Sequence, residues 1–161
     1  MMTKKGHPAQ GDPVGNFAGS LPPLRLLEQA LAGAAVHHVD NALELERHID
    51  PQDFTGPKYR AVLAAAYQAA GAGLLETATP NAQVIHDMLQ TDGADVSLYD
   101  LSQMEAAAPC RGTHFRRTLD AWKRARDAYV LAQELEQLKR GVLSGRLDRD
   151  ALSVAMGYRH E

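Results

Sequence analysis

Apolar positions recur at intervals of three and four along most of this chain, the spacing of one face of an α-helix. Leu24, Leu27, Leu31 and Ala34 form the first such stripe, behind Pro22 and Pro23, which suit the approach to a helix and its first turn. Gly33 lies inside that stripe. A mid-helix glycine costs about 1 kcal/mol against alanine, so its presence predicts close approach by another helix. Asp40 or Asn41 is expected to cap a short second helix reaching Ile49, with Ala42, Leu45 and Ile49 inward.

A turn from Asp50 to Gly56 comes next, with Pro51 fixing backbone angles and Phe54 as a lone apolar group expected to plug into the core. Pro57 opens a third helix, carrying Tyr59, Val62, Leu63, Ala66, Tyr67 and Ala70 on one face and ending at Gly71-Ala72-Gly73. Leu74 to Thr79 reads as an extended connection. Thr79 then caps, and Pro80 opens, a fourth helix with Val84, Ile85, Met88 and Leu89 on one face. Ser97 caps a fifth bearing Leu98, Leu101, Met104 and Ala108, before Pro109 and Gly112 break the chain.

Thr113 caps the longest pattern, predicted to run to Arg140 ahead of Gly141. Phe115, Leu119, Trp122, Ala125, Tyr129 and Ala132 make one stripe along it, and Ala128, Leu131, Leu135 and Leu138 a second beside it. Asp148 is placed to cap a short returning helix through Ala151, Leu152, Ala155 and Met156. Alternating β-branched runs are absent and alanine, the best helix former, is abundant. The expected fold is therefore all-α. Residues 1–20 read as a disordered tail, 21–112 as a small globular bundle of about five helices, and 113–161 as a projecting long-helix hairpin. The outer half of such an arm needs a partner to cover its leucines.

Composition narrows the classes of function. With 161 residues, 45% hydrophobic and 23% charged, the chain is of ordinary single-domain character. A net charge of −3 argues against a basic nucleic-acid coat. The single cysteine, Cys110, cannot form an internal disulfide, which fits a reducing cytoplasm. No apolar run is long enough to span a bilayer, and no apolar segment follows Lys4 and Lys5 to make a secretory leader.

Candidate chemistry is sparse. The phosphate-loop pattern is absent; Gly56-Pro57-Lys58-Tyr59 comes nearest, and Pro57 lacks the N–H that a phosphate cradle uses. The seven histidines, His37, His38, His48 and His86 among them, show no metal-ligand spacing. Cys110 with His114 four positions on is weighed as a nucleophile pair and read instead as an ordinary loop cysteine. Asp50 with Asp53, and Asp92 with Asp95, suit caps and turns better than acid–base work. No catalytic residue, cofactor or metal is therefore expected. Arg116, Arg117, Lys123 and Arg124 share a broad face of the long helix with Asp120 and Asp127, a mixed surface suited to electrostatic steering.

Several of these segments, in order, resemble the amino-terminal domain of the DnaB-type bacterial replicative DNA helicase. Pro23 through Leu27-Glu28-Gln29-Ala30-Leu31-Ala32-Gly33 is similar to that family's opening helix. Asp53-Phe54 with Tyr59-Arg60 resembles its next turn and helix, although Thr55 stands where an aromatic is common. Leu74 to Leu89, Leu98 to Ala108 and the helix from Thr113 resemble the segments leading into its helical hairpin. The resemblance covers about Leu21 to Arg140. It implies an all-helical, non-catalytic module that pairs through its hairpin and meets primase or loader proteins. It does not extend to the family's RecA-like ATPase motor, so it carries over no helicase activity. A stand-alone protein, an excised domain and a truncated relic all fit it.

The expected function is thus a non-enzymatic replication-associated module that self-associates or binds a replicative helicase, primase or helicase loader. Trp122, Tyr129, Leu131, Leu135 and Leu138 are the expected contact residues, with Arg116, Arg117, Lys123 and Arg124 steering. The alternatives are a nucleic-acid-binding accessory protein, making direct DNA contact through those cations, and a helicase subunit working with a separate ATPase chain.

Overall fold

The computed structural model of the chain describes residues 23–75, 81–109, 113–146, 148–151 and 154. Among them there is no strand. The described α-helices run in order α1 Leu24–His37, α2 Val39–Glu46, α3 Pro57–Gly71, α4 Ala82–Thr91, α5 Leu98–Ala107 and α6 Thr113–Leu143, and Arg149, Asp150, Ala151 and Val154 are helical as well. A 3₁₀ turn, Pro51–Asp53, separates α2 from α3. The expected all-α class is what the chain adopts. It divides into two compact units, Met1–Lys123 and Arg124–Glu161. The division falls inside α6, whereas the sequence pattern placed its boundary ahead of Thr113.

In the first unit α1 is the central element, touching α2, α3, α4 and α5. The sequence predicts a single apolar face for it, but Ala30 through Val36 are all buried. Ala30, Ala32, Gly33, Ala34 and Ala35 explain this, since side chains so small let neighbours close in on several sides at once. The closest approach is at Gly33, where an added Cβ would run into the backbone carbonyl of Met104 in α5. Leu27, Leu31, Leu45, Leu63, Ile85 and Leu101 complete the core. Full burial of each such side chain contributes about 1.5–3 kcal/mol.

Local chemistry sets the helix ends, not always where the pattern put them. The N-cap of α2 is His38, whose Nδ1 accepts from the Asp40 N–H, so the helix starts ahead of both expected caps and stops at Glu46. Ile49, beyond its end, is buried all the same. Asn81 precedes α4; the expected Thr79 cap and Pro80 lie outside the described residues, as does Cys110. Ser97 caps α5 as expected, in a reciprocal box with Asp100. Leu98, expected inward, is exposed because it precedes the buried Leu101–Met104 face. The end of α6 is set by Gly145 at φ +78, not by Gly141, which lies within the helix. Asp148 Oδ1 accepts from the Ala151 N–H at 2.8 Å, as a helix cap does; Leu152, Ala155 and Met156 of the expected returning helix lie outside the described residues.

Candidate functional site

Candidate residues of the first unit gather in two places. One is the turn at 50–60. Glu28, on α1 and wholly buried, accepts from the Thr55 N–H at 2.8 Å and the Gly56 N–H at 2.9 Å, and from the Thr55 hydroxyl. Gly56 is the N-cap of α3, so this carboxylate closes the helix start from 28 residues away. Arg60 reaches back to donate twice to the Phe54 carbonyl, at 3.2 and 2.9 Å. Asp50 Oδ1 accepts from the Gln52 N–H, and the Tyr67 hydroxyl donates to the Ile49 carbonyl at 3.0 Å. Burial, and then the negative charges of Glu46, Asp50 and Asp53, push the Tyr67 phenol well above its ordinary range. These bonds hold Phe54 inward, where its ring meets that of Trp122 at 5.7 Å between centroids, tilted by 56°.

The second place is the start of α6, which buries Phe115, Thr118, Leu119, Ala121 and Trp122. Trp122 was expected at a contact surface. It is only 4% exposed and lies against Phe54, so it belongs to the core of the first unit. A large ring spaced three and four from other apolar residues satisfies core and interface patterns equally, and here the plug formed by Phe54 takes it. Its indole N–H is buried without a hydrogen-bond partner among the described residues. Arg116 and Arg117 are exposed. Lys123 is half-buried, with Nζ 3.3 Å from His48 Nδ1.

In the second unit α6 continues from Arg124, itself exposed. Leu131 and Leu135 are 46% and 49% exposed, Val142 41% and Leu143 76%. Leu138 is half-buried. Ala128, Leu131, Leu135, Leu138 and Val142 alternate spacings of three and four, the rhythm of a helix–helix seam. Val142 was missed because the helix was expected to stop at Arg140, and the spacing from Leu138 is the signal that finds it. Tyr129, 40% exposed, does not belong to this row. It is six positions before Leu135 and nine before Leu138, about 240° and 180° around at ~100° per residue. The two stripes read as neighbours are therefore on largely opposite sides of the helix, and Tyr129 stands apart from the leucines.

The remaining candidates are chemically quiet. No group of three or more His, Cys, Asp or Glu side chains among the described residues could hold a metal. His37, His38, His48 and His86 each sit beside a carboxylate, as His37 does with Glu105 at 3.7 Å and His86 with Asp87 at 3.9 Å. A hollow of about 160 Å³ is lined by Arg25, Gly56, Pro57, Lys58 and Tyr59. It makes no phosphate cradle, because the Gly56 N–H is taken by Glu28 and Lys58 pairs with Asp100 at 3.1 Å. A second, of about 250 Å³, is lined by Gln68, Asp87, Met88, Thr91 and Asp92. None of the described helices is long and apolar enough to cross a membrane. Compared with family models, curated proteins and solved structures, the chain gives no match.

Proposed function

We propose that this chain is a non-enzymatic assembly module of DNA replication, similar to the amino-terminal domain of DnaB-type helicases and working in the cytoplasm. It joins a second copy of itself, or a replicative helicase, primase or loader, through the outer part of α6. The observation that carries this reading is the row Leu131, Leu135, Leu138 and Val142. Three of its four large apolar side chains are exposed, on a stretch of helix that also exposes Tyr129, Val130 and Leu143 beside the charged Arg124, Glu136, Lys139 and Arg140. Leaving such a row in water forfeits roughly 25 cal/mol for every Å² that a partner helix would cover.

Two of the segments on which the resemblance rests meet in the fold. The opening-helix motif holds Glu28, the turn motif holds Asp53-Phe54, and Glu28 bonds directly to Thr55 and Gly56 just beyond that turn. Thr55, which stands where the family often has an aromatic, adds a hydroxyl to the same carboxylate at 3.1 Å. The nucleic-acid reading is weaker. Arg116, Arg117 and Arg124 are exposed, but so are Asp120 and Asp127, and Lys123 is tied to His48.

Sedimentation equilibrium tests the proposal. The wild-type chain is expected to associate, and a Leu131→Glu/Leu135→Glu double variant to be monomeric with unchanged helicity, since both positions are exposed. A wild-type chain that stays monomeric at high concentration and also fails to bind the replicative helicase, primase and loader would refute it.

A further inference from the structure

His48 stands in the turn after α2, and both of its ring nitrogens are engaged. Nε2 lies 3.2 Å from Glu44 Oε2, and Nδ1 lies 3.3 Å from Lys123 Nζ in the first part of α6. A lysine ammonium only donates, so Nδ1 must accept. An ionised carboxylate only accepts, so Nε2 must carry the proton. Together the contacts fix one state of the ring, the neutral imidazole in its Nε2–H tautomer. We propose that His48 is a proton-sensitive fastener between α2 and the start of α6, gripping Lys123 while neutral and releasing it when protonated.

The charges around the ring make the release one-sided. Glu44, on α2, keeps its contact with the protonated ring as an ion pair. Arg47 shares that carboxylate, with Nη1 4.0 Å from Glu44 Oε1. Lys123, on α6, faces the other nitrogen. Once Nδ1 carries a proton, it offers no acceptor, and two cations confront each other across the same gap. Lys123 is the group that has to withdraw. The His48 side chain is 34% exposed, so protons reach it from solvent. Histidine side chains change charge between about pH 5 and 8, within the range of cellular conditions. Trp122, next to Lys123, stays held against Phe54, so release loosens the foot of α6 without unfolding it. This device is independent of what the outer part of α6 binds.

The test uses the full chain. Ring-nitrogen NMR at pH 8 is expected to report the Nε2–H tautomer. Hydrogen exchange at amides 115–123, corrected for intrinsic rates, is expected to be about two- to fivefold faster at pH 5.5 than at pH 8, the scale of one exposed polar pair. His48→Gln, whose amide oxygen can accept from Lys123 while its NH₂ donates to Glu44, should keep the pH 8 protection at both values. Lys123→Met should give the faster exchange at both. An Nδ1–H tautomer at pH 8, or an undiminished pH dependence in either variant, would overturn the proposal.

Discussion

Glu28 is a buried carboxylate whose acceptor capacity is spent on one turn, and that makes it the most consequential single side chain of the first unit. Both oxygens face N–H or O–H donors from Thr55 and Gly56. Glu28→Gln keeps the shape but turns one acceptor into an NH₂ that meets donors head-on. Leaving buried donors without acceptors is expected to cost about 2–3 kcal/mol, seen as a lower urea midpoint with an unchanged slope. Tyr67 makes a prediction of a different kind. Its phenol is held neutral in the folded chain by burial and by nearby carboxylates. The unfolded chain ionises first, near the ordinary tyrosine value of about 10. The contribution is therefore complete below about pH 10 and is lost as pH rises further. Tyr67→Phe loses the bond to the Ile49 carbonyl, about 1 kcal/mol at neutral pH, yet should show a shallower loss of stability as pH rises above about 10.

At the scale of elements, periodicity located the helices better than it located their ends. The stripe of α3, and Leu101 and Met104 of α5, stand where three- and four-residue spacing puts them, because that face of each helix is covered. Helix α1 differs, for its small residues admit neighbours on several sides and no single stripe describes that. The cap of α2 was missed because an imidazole nitrogen does what a carboxylate or amide usually does. Glu28 was missed as a cap because its partners lie far along the sequence, and no local pattern encodes a bond across 27 and 28 residues. Trp122 and Tyr129, seven apart, looked like one surface; only the packing of Phe54 separates a core ring from an exposed one. Gly33 was legible, since the cost of glycine in mid-helix demands a reason and the Met104 carbonyl supplies it. Gly33→Ala should therefore lower stability by about 1–3 kcal/mol through overpacking, despite a gain of about 1 kcal/mol in helix propensity. A backbone carbonyl cannot swing aside as a side chain can. Thermal melts followed by circular dichroism would show the loss, with the starting helix signal little changed.

For the molecule as a whole, the decisive question is whether the row on the outer part of α6 is satisfied by a second copy. If it is, folding and pairing are linked, and stability must rise with concentration. A hundredfold rise in concentration is worth about 2.7 kcal/mol per dimer, or roughly 3–5 °C in Tm for a chain of this size. The shift should vanish in a chain ending after Ala128, which keeps the buried residues of the first unit, Phe54 and Trp122 included, and drops the leucines. That shortened chain should still unfold cooperatively, because its core is built from α1 to α5 and the start of α6. Scanning calorimetry of both chains across that range reads the difference directly. A concentration-independent Tm for the full chain would exclude self-pairing and leave the helicase, primase or loader as the occupant of the row. An equal shift in both chains would move the contact off the row beyond Ala128, onto the part that both chains keep, where Tyr99 at 71% exposure is the next place to look.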